Sequence, residues 1–301
     1  MAAIKVLVPL DGSRTAEHAL VYLDALKRLG DCTVELLSVA DETEDFHHEH
    51  AAEAIEREAN LLSTYLHEVG RDIHSHLGIE VTQKLVRGNP AARIAEEVES
   101  LAPDVLVVSS HGRSGMSRWR LGSVADKVIR GATCDTLVIG PSAHEGEVWL
   151  DVQALAPFSS IMVPLDGSTL AERALAVGAR YAECFNSTLH LVRVMRVPVQ
   201  PLGLAGEGAY LPEMLETLEE SVNAYVHQQA AKLPSSIRCT TDVSYGDAAT
   251  RLEDYAKQNA VDLVVMTSHG RGGFSRTALG SVTDRLLAEG TAPVLIVRAE
   301  A

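Results

Sequence analysis

The chain has 301 residues, 46% of them hydrophobic, which is more than one ordinary core organises and about right for two domains. Its formal charge of −15 argues against a general nucleic-acid surface, because phosphate neutralisation needs basic patches. Apolar runs such as 105–108 and 263–266 fall far short of the roughly 20 residues of a membrane span, and Cys32, Cys134, Cys184 and Cys239 form no CxxC pair, which argues against a disulfide framework or Cys-rich zinc site and fits a reducing cytoplasm.

In chain order, residues 4–8 open a strand pattern directly after Met1, with no export signal ahead of it. Residues 15–29 then read as an amphipathic helix, 34–39 as a strand, about 49–73 as a helix and 79–86 as a strand. Asn89-Pro90 offers an N-cap followed by proline at the first helical position, opening a helix over 90–101. A strand at 105–108, a helix at 123–130 and a strand at 136–139 complete the unit. After a polar connector the pattern repeats, with strands at 161–163, 188–194, 238–243, 263–266 and 294–297. Apolar strands alternating with helices imply a parallel sheet covered on both faces.

The repetition extends to the residues themselves. Val8-Pro9-Leu10-Asp11-Gly12-Ser13 returns unchanged as Val163-Pro164-Leu165-Asp166-Gly167-Ser168, and Ser110 to Asp126 returns as Ser268 to Asp284 with 12 of 17 positions identical. The offsets, 155 and 158, are those of a duplicated domain rather than of a short solenoid period. The expected division is a first domain at 1–142, a linker at 143–157 and a second domain at 158–301. Each domain is expected to be a doubly wound five-stranded parallel sheet of order 3-2-1-4-5.

In such a sheet a ligand binds beyond the carboxyl ends of the strands, where the winding reverses. The two best-repeated blocks follow the first and fourth strands, which are neighbours at that reversal. The second block has the composition of a phosphate cradle. Gly112, Gly115 and Gly122 permit close backbone approach, and Gly122-Ser123 opens a helix whose amides favour negative charge. Residues 109–123 carry Arg113, Arg118 and Arg120 and no acid; residues 267–281 carry Arg271 and Arg276 and no acid. The plainer reading, a Gly-rich connector with solvated arginines, stays open on composition. Neither GxxxxGK[ST] nor an early GxGxxG occurs, which sets aside P-loop NTPases and classical dinucleotide dehydrogenases.

Ser-His-Gly, nine residues, then Gly-Ser (Gly112 to Gly122-Ser123, and Gly270 to Gly280-Ser281) resembles the ATP-binding signature of the universal stress protein family. The Val-Pro-Leu-Asp-Gly-Ser start is also typical of it, and the resemblance covers nearly the whole chain, twice. One departure is that Ser109 and Thr267 stand where the family pattern begins with glycine. The resemblance implies ATP as ligand, with Mg2+ left open as its companion. Gly112, Gly122 and Ser123, with Ser109, His111 and Arg113 beside them, would meet the phosphates in the first copy. Gly270, Gly280 and Ser281, with Thr267, His269 and Arg271, would do so in the second. Asp11 and Val39, or Asp166 and Val194, would line the adenine or ribose end, with Gly88 and Gly246 near the ribose. The family also pairs subunits through the last strand, which implies an intramolecular pseudo-dimer joining residues 137–139 to 295–297, with further homodimerisation open.

Other residues have plainer readings. His47, His48, Glu49 and His50 read as a solvated acidic loop before they read as a metal site, and His74 and His76 likewise. His111 and His269 suit hydrogen bonding within the loop better than base catalysis. Asp11 and Asp166 read as caps on the turn into the first helix, or as magnesium ligands, and one carboxylate can be both. Asp126 and Asp284 read as ion-pair partners, and Pro9 and Pro164 as strand ends. The residues at 197–210 read as a flap over the second site. No catalytic nucleophile arrangement is readable, since Gly-x-Ser-x-Gly is absent. The leading reading is therefore an ATP-holding stress or signalling protein acting on an unidentified protein partner, with slow or no hydrolysis. A magnesium-dependent nucleotide hydrolase or phosphotransferase, and a nucleotide-free scaffold, are its alternatives.

Overall fold

The computed structural model describes residues 3–42, 51–111, 121–140, 158–196, 211–268 and 279–298. In the first copy β1 (Ile4–Pro9) leads through α1 (Arg14–Glu17), a 3-10 segment (His18–Tyr22) and α2 (Leu23–Leu29) to β2 (Cys32–Asp41). Then come α3 (Ala51–Leu77), β3 (Glu80–Gly88), α4 (Pro90–Leu101), β4 (Val105–Ser109), α5 (Ser123–Gly131) and β5 (Asp135–Ile139). The second copy runs β6 (Ser160–Pro164), α6 (Thr169–Phe185), β7 (Thr188–Met195), α7 (Leu211–Ala231), β8 (Arg238–Tyr245), α8 (Ala248–Gln258), β9 (Leu263–Thr267), α9 (Ser281–Glu289) and β10 (Val294–Val297). Helix starts follow their capping chemistry. Ser13 and Ser168 accept the N–H of Ala16 and Ala171, and Asn89 and Asp247 accept those of Ala92 and Thr250. Pro9 and Pro164 are the last residues of their strands, where a missing N–H interrupts no ladder.

All strands join one ten-stranded sheet of order β3-β2-β1-β4-β5-β10-β9-β6-β7-β8. Pairing is parallel within each copy and antiparallel only where β5 meets β10. That junction is self-complementary. Leu137 faces Leu295, its own counterpart, while Val138 faces Val294 and Thr136 faces Ile296. The two copies are thus related by a local two-fold axis through the Leu137–Leu295 pair. Both faces of the sheet carry cores that cross this axis. On one face Leu20, Tyr22 and Leu26 share a core with Phe158, Tyr181 and Leu189, and Phe158 stacks on Tyr22 at a centroid separation of 6.0 Å. On the other, Ile129 and Val138 pack with Leu252, Leu286 and Ile296.

One expectation needs correction. The single helix expected over 15–29 is broken by the 3-10 segment, all five residues of which are buried. Its counterpart α6 is continuous because Gly178 lets it lie close on the sheet, where a Cβ would come within 2.7 Å of Val163. The first copy has Leu23 at that position, fully buried, and so cannot approach as closely. The 3-10 segment ends directly before Leu23, where regular α-helix resumes. The helix expected over 49–73 also runs further, to Leu77.

Candidate functional site

Strand β1 is flanked by β2 and β4, so the winding reverses between β1 and β4; β6 and β9 stand in the same relation. Because β5 and β10 are antiparallel, the carboxyl ends of the two sets of strands point to opposite edges of the sheet. Two crevices result, one on each edge.

Beyond Pro9, the Leu10 N–H still donates to Leu37 O at 2.8 Å, and the buried Ser38 hydroxyl donates to Leu10 O at 2.7 Å. The Asp11 carboxylate then accepts the Ser13 N–H at 2.9 Å. In the second copy Leu165 N–H donates to Val192 O at 2.8 Å, and Asp166 accepts both the Ser168 N–H, at 2.9 Å, and its hydroxyl, at 2.6 Å. Both aspartates thus close Asx-type turns that hold the N-capping residues Ser13 and Ser168.

On the other side of the reversal, Ser109 ends β4 and the Ser110 N–H prolongs the ladder to Ile139 O at 2.8 Å. Ser110 O in turn accepts the Gly122 N–H at 2.8 Å, and Ser268 O accepts that of Gly280 at 2.8 Å. Each contact pins the start of the following helix against the end of the central strand. A Cβ on Gly122 would lie a tight 3.2 Å from Ser110 O, whereas one on Gly280 would lie 3.4 Å from Ser268 O, in ordinary contact. Neither glycine caps its helix with a side chain, whereas α1, α4, α6 and α8 are all side-chain capped. The first-turn amides of α5 and α9 thus keep their capacity for an anion. The Ser109 hydroxyl is buried without a hydrogen-bond partner, and Ser110 Oγ lies 3.0 Å from His111 Nδ1, both residues being buried.

Gly88 ends β3 and Gly246 directly follows β8, with φ of +127° and +138°, a region that disfavours any side chain. Arg93 and Arg251 fold back over them, their Nε groups donating to Arg87 O at 2.8 Å and Tyr245 O at 2.9 Å. Val39 and Val194 lie near the ends of β2 and β7, half-buried against α4 and α8 respectively. Thr267 ends β9, buried. Ser123 and Ser281 open α5 and α9. The fold thus puts Asp11 beyond β1 and Ser109, His111, Gly122 and Ser123 around the end of the neighbouring β4, with Asp166 beyond β6 and Thr267, Gly280 and Ser281 around the end of the neighbouring β9. Gly112, Arg113, His269, Gly270 and Arg271 lie outside the described residues, as do the histidines at 47–50 and the segment 197–210.

The sequence reading missed a polar layer beneath each aspartate turn. In the first copy Tyr65 OH donates to Glu17 at 3.0 Å, and burial pushes the Glu17 carboxyl up, with that hydrogen bond and Arg14 opposing the shift. In the second, Gln229 donates to Glu172 at 2.9 Å, and the buried Arg193 guanidinium lies over the Tyr225 ring at 5.3 Å. Burial, followed by Glu172, pushes the Tyr225 hydroxyl up. A charged residue at an inward position of the apolar strand β7 was the available signal. His74 and His76 are structural, their Nδ1 atoms lying 3.0 Å from Ile79 O and 2.8 Å from Asp72 O. Asp126 and Asp284 both pair with Arg130. Among the described residues no group of three or more His, Cys, Asp or Glu side chains could hold a metal ion, and no helix is long and apolar enough to cross a membrane.

The profile of the universal stress protein family matches residues 4–140 and again 157–298. The chain belongs to the universal stress protein family. It is similar to a universal stress protein of Mycobacterium bovis, 29% identical over 223 residues, covering 73% of this chain and 70% of that protein. A universal stress protein of Methanocaldococcus jannaschii is 28% identical over 144 residues, covering 47% of this chain and 82% of the relative. In the crystal structure of a universal stress protein from Archaeoglobus fulgidus the whole chain is matched end to end, 100% of each, with a TM-score of 0.70 at 20% identity. That likeness speaks to the fold. As a universal stress protein with two tandem domains, the chain carries one Rossmann-like α/β unit per copy.

Proposed function

We propose that this chain is an ATP-holding stress-response protein of the cytoplasm, with one nucleotide site per copy. In this reading occupancy biases its conformation and its contacts with a protein partner, and ATP is hydrolysed slowly or not at all. The two domains, separated by a linker at 143–157, act as an intramolecular pseudo-dimer joined at β5 and β10. The observation that carries the reading is the pair of uncapped helix starts. Gly122 and Gly280 are each drawn against the end of a central strand, leaving first-turn amides beside the aspartate turn at the winding reversal. The residues fit the ligand. A Cβ on Gly122 would crowd Ser110 O, and the buried Ser109 hydroxyl supplies a donor that no group among the described residues uses. Gly122-Ser123 and Gly280-Ser281 would hold phosphate, and Asp11 and Asp166 the sugar end. Bound ATP would supply the negative charge that the helix ends complement.

Calorimetric titration of ATP with magnesium into nucleotide-stripped protein tests this. The expected result is two ATP per chain, with Gly122→Val and Gly280→Val each removing one. No heat at millimolar ATP overturns the reading and leaves a scaffold acting through its surface. Steady phosphate release at ordinary enzyme rates, abolished by Asp11→Ala together with Asp166→Ala, turns the reading to a hydrolase.

A further inference from the structure

The helices that open at Gly122 and Gly280 lie beside the local two-fold axis and run antiparallel, because the strands they follow do. The last turn of α5 consequently sits next to the first turn of α9. Arg130, in that last turn, donates from Nε to Asp126 Oδ1 at 2.8 Å within its own helix. Its Nη2 donates across the axis to Asp284 Oδ1 at 2.9 Å. Asp126 and Asp284 are counterparts, each in the first turn of its helix. The counterpart of Arg130 is Ala288. The two-fold axis would allow two such bridges, and the sequence makes one. A single guanidinium therefore serves both first turns.

We infer that Arg130 is a positioning residue shared by the two nucleotide sites, which it couples to one another. The inference rests on the nucleotide reading above and adds to it how the sites communicate. A carboxylate in the first turn suits the helix dipole but opposes an anion arriving at the same helix end. Arg130 offsets that opposition for Asp126 and Asp284 together. Burial raises the Asp284 carboxyl, Arg130 lowers it and Asp126 raises it again, so the three groups lie in one another's fields. Any adjustment of α9 toward a phosphate moves Asp284, hence Arg130, hence the first turn of α5. Coupling of this kind is reciprocal. Copy one supplies a cation to the first helical turn of copy two, and Ala288, the counterpart position, supplies none in return.

Two-site ATP titrations of the full chain, its Arg130→Gln variant and the Arg130→Gln, Ala288→Arg double variant test the assignment, with thermal melts to establish folding. Arg130→Gln is expected to weaken ATP about three- to tenfold at each site at low salt, less at high salt, and to make the sites independent. Ala288→Arg in that background rebuilds the bridge from the other copy and is expected to restore affinity and coupling. Arg130→Lys keeps the charge without the fork, and is expected to keep most of the affinity while losing the coupling. Coupling that persists in Arg130→Lys overturns the inference, even where Arg130→Gln fails to fold. Identical, independent sites in the unmodified chain overturn it too, as does an Arg130→Gln chain that melts normally and binds within twofold of the original. No ATP binding in the unmodified chain overturns the nucleotide reading itself, and this inference with it.

Discussion

Phe158 is the side chain on which the question of one folding unit or two turns. It opens the second copy, is 5% exposed, and packs at once on Tyr22 of the first copy and on Phe185 and Tyr181 of the second, with ring centroids at 6.0, 5.4 and 6.2 Å. Phe158→Ala removes a buried ring whose cavity neighbouring aromatics cannot fill, at a cost of about 4 kcal/mol. If the 301 residues unfold as one unit, the unfolding entropy is near 0.63 kcal/mol/K, and the midpoint falls by about 6 °C in a single transition. If the copies unfold separately, the same loss falls on about half the entropy, and one of two transitions drops by about 13 °C. Differential scanning calorimetry distinguishes the two. The cores that cross the two-fold axis predict the first result. Two resolved transitions, with only one displaced, would refute the claim that the copies share a core of energetic consequence.

Two further outcomes follow from individual residues. His190 is enclosed by Ser160, Thr240 and Tyr255 hydroxyls, and burial holds its pKa below the ordinary 6.5. The unfolded chain therefore takes up the proton first, so this residue's contribution is intact above pH 6.5 and is lost as pH falls below it. The difference in melting temperature between the protein and its His190→Gln variant, followed from pH 7.5 to 5.5, should shrink toward acid; a constant difference contradicts the assignment. Gly246→Ala forces a Cβ into a left-handed backbone position and to 3.0 Å from Arg251 Nε. Urea titration should show a loss of about 1–3 kcal/mol, against little change for Ala at exposed Gly131, whose Cβ would meet nothing.

Much of the fold was legible because the chain states it twice. A strand pattern of moderate strength becomes persuasive when its counterpart recurs 155 or 158 residues later, and helix α4 could be bounded to the residue by Asn89-Pro90. The break at His18–Tyr22 was not legible, since its cause is distance to the sheet. Leu23 and Gly178 differ in how closely a backbone can approach, and helical periodicity carries no such information. The crevice residues were found by repetition and loop chemistry, which identify positions but not partners. That Ser110 O and Ser268 O receive the glycine amides depends on two loops meeting in space. Arg193 and Tyr225 were missed for a related reason, being buried polar groups whose meaning lies in what covers them.

The antiparallel junction has a consequence for how two equivalent loops can come to differ in role. A two-fold axis through Leu137 and Leu295 sends the crevices to opposite edges, so no single ligand can touch both. Whatever passes between them has to travel through structure near the axis, where α5 and α9 lie head to tail. In a homodimer of one-domain chains, symmetry would force two arginines or two alanines at the position of Arg130. Joining the copies in one chain lifts that constraint. Arg130 and Ala288 are then free to diverge, and so are Ser38 and Arg193 beneath the two aspartate turns. The contacts of Arg298 with Asp135 and with Ile129 O, where the first copy has Gly140, extend the same asymmetry along the junction. Tandem fusion thus turns a symmetric interface into a directional one without altering the fold on either side.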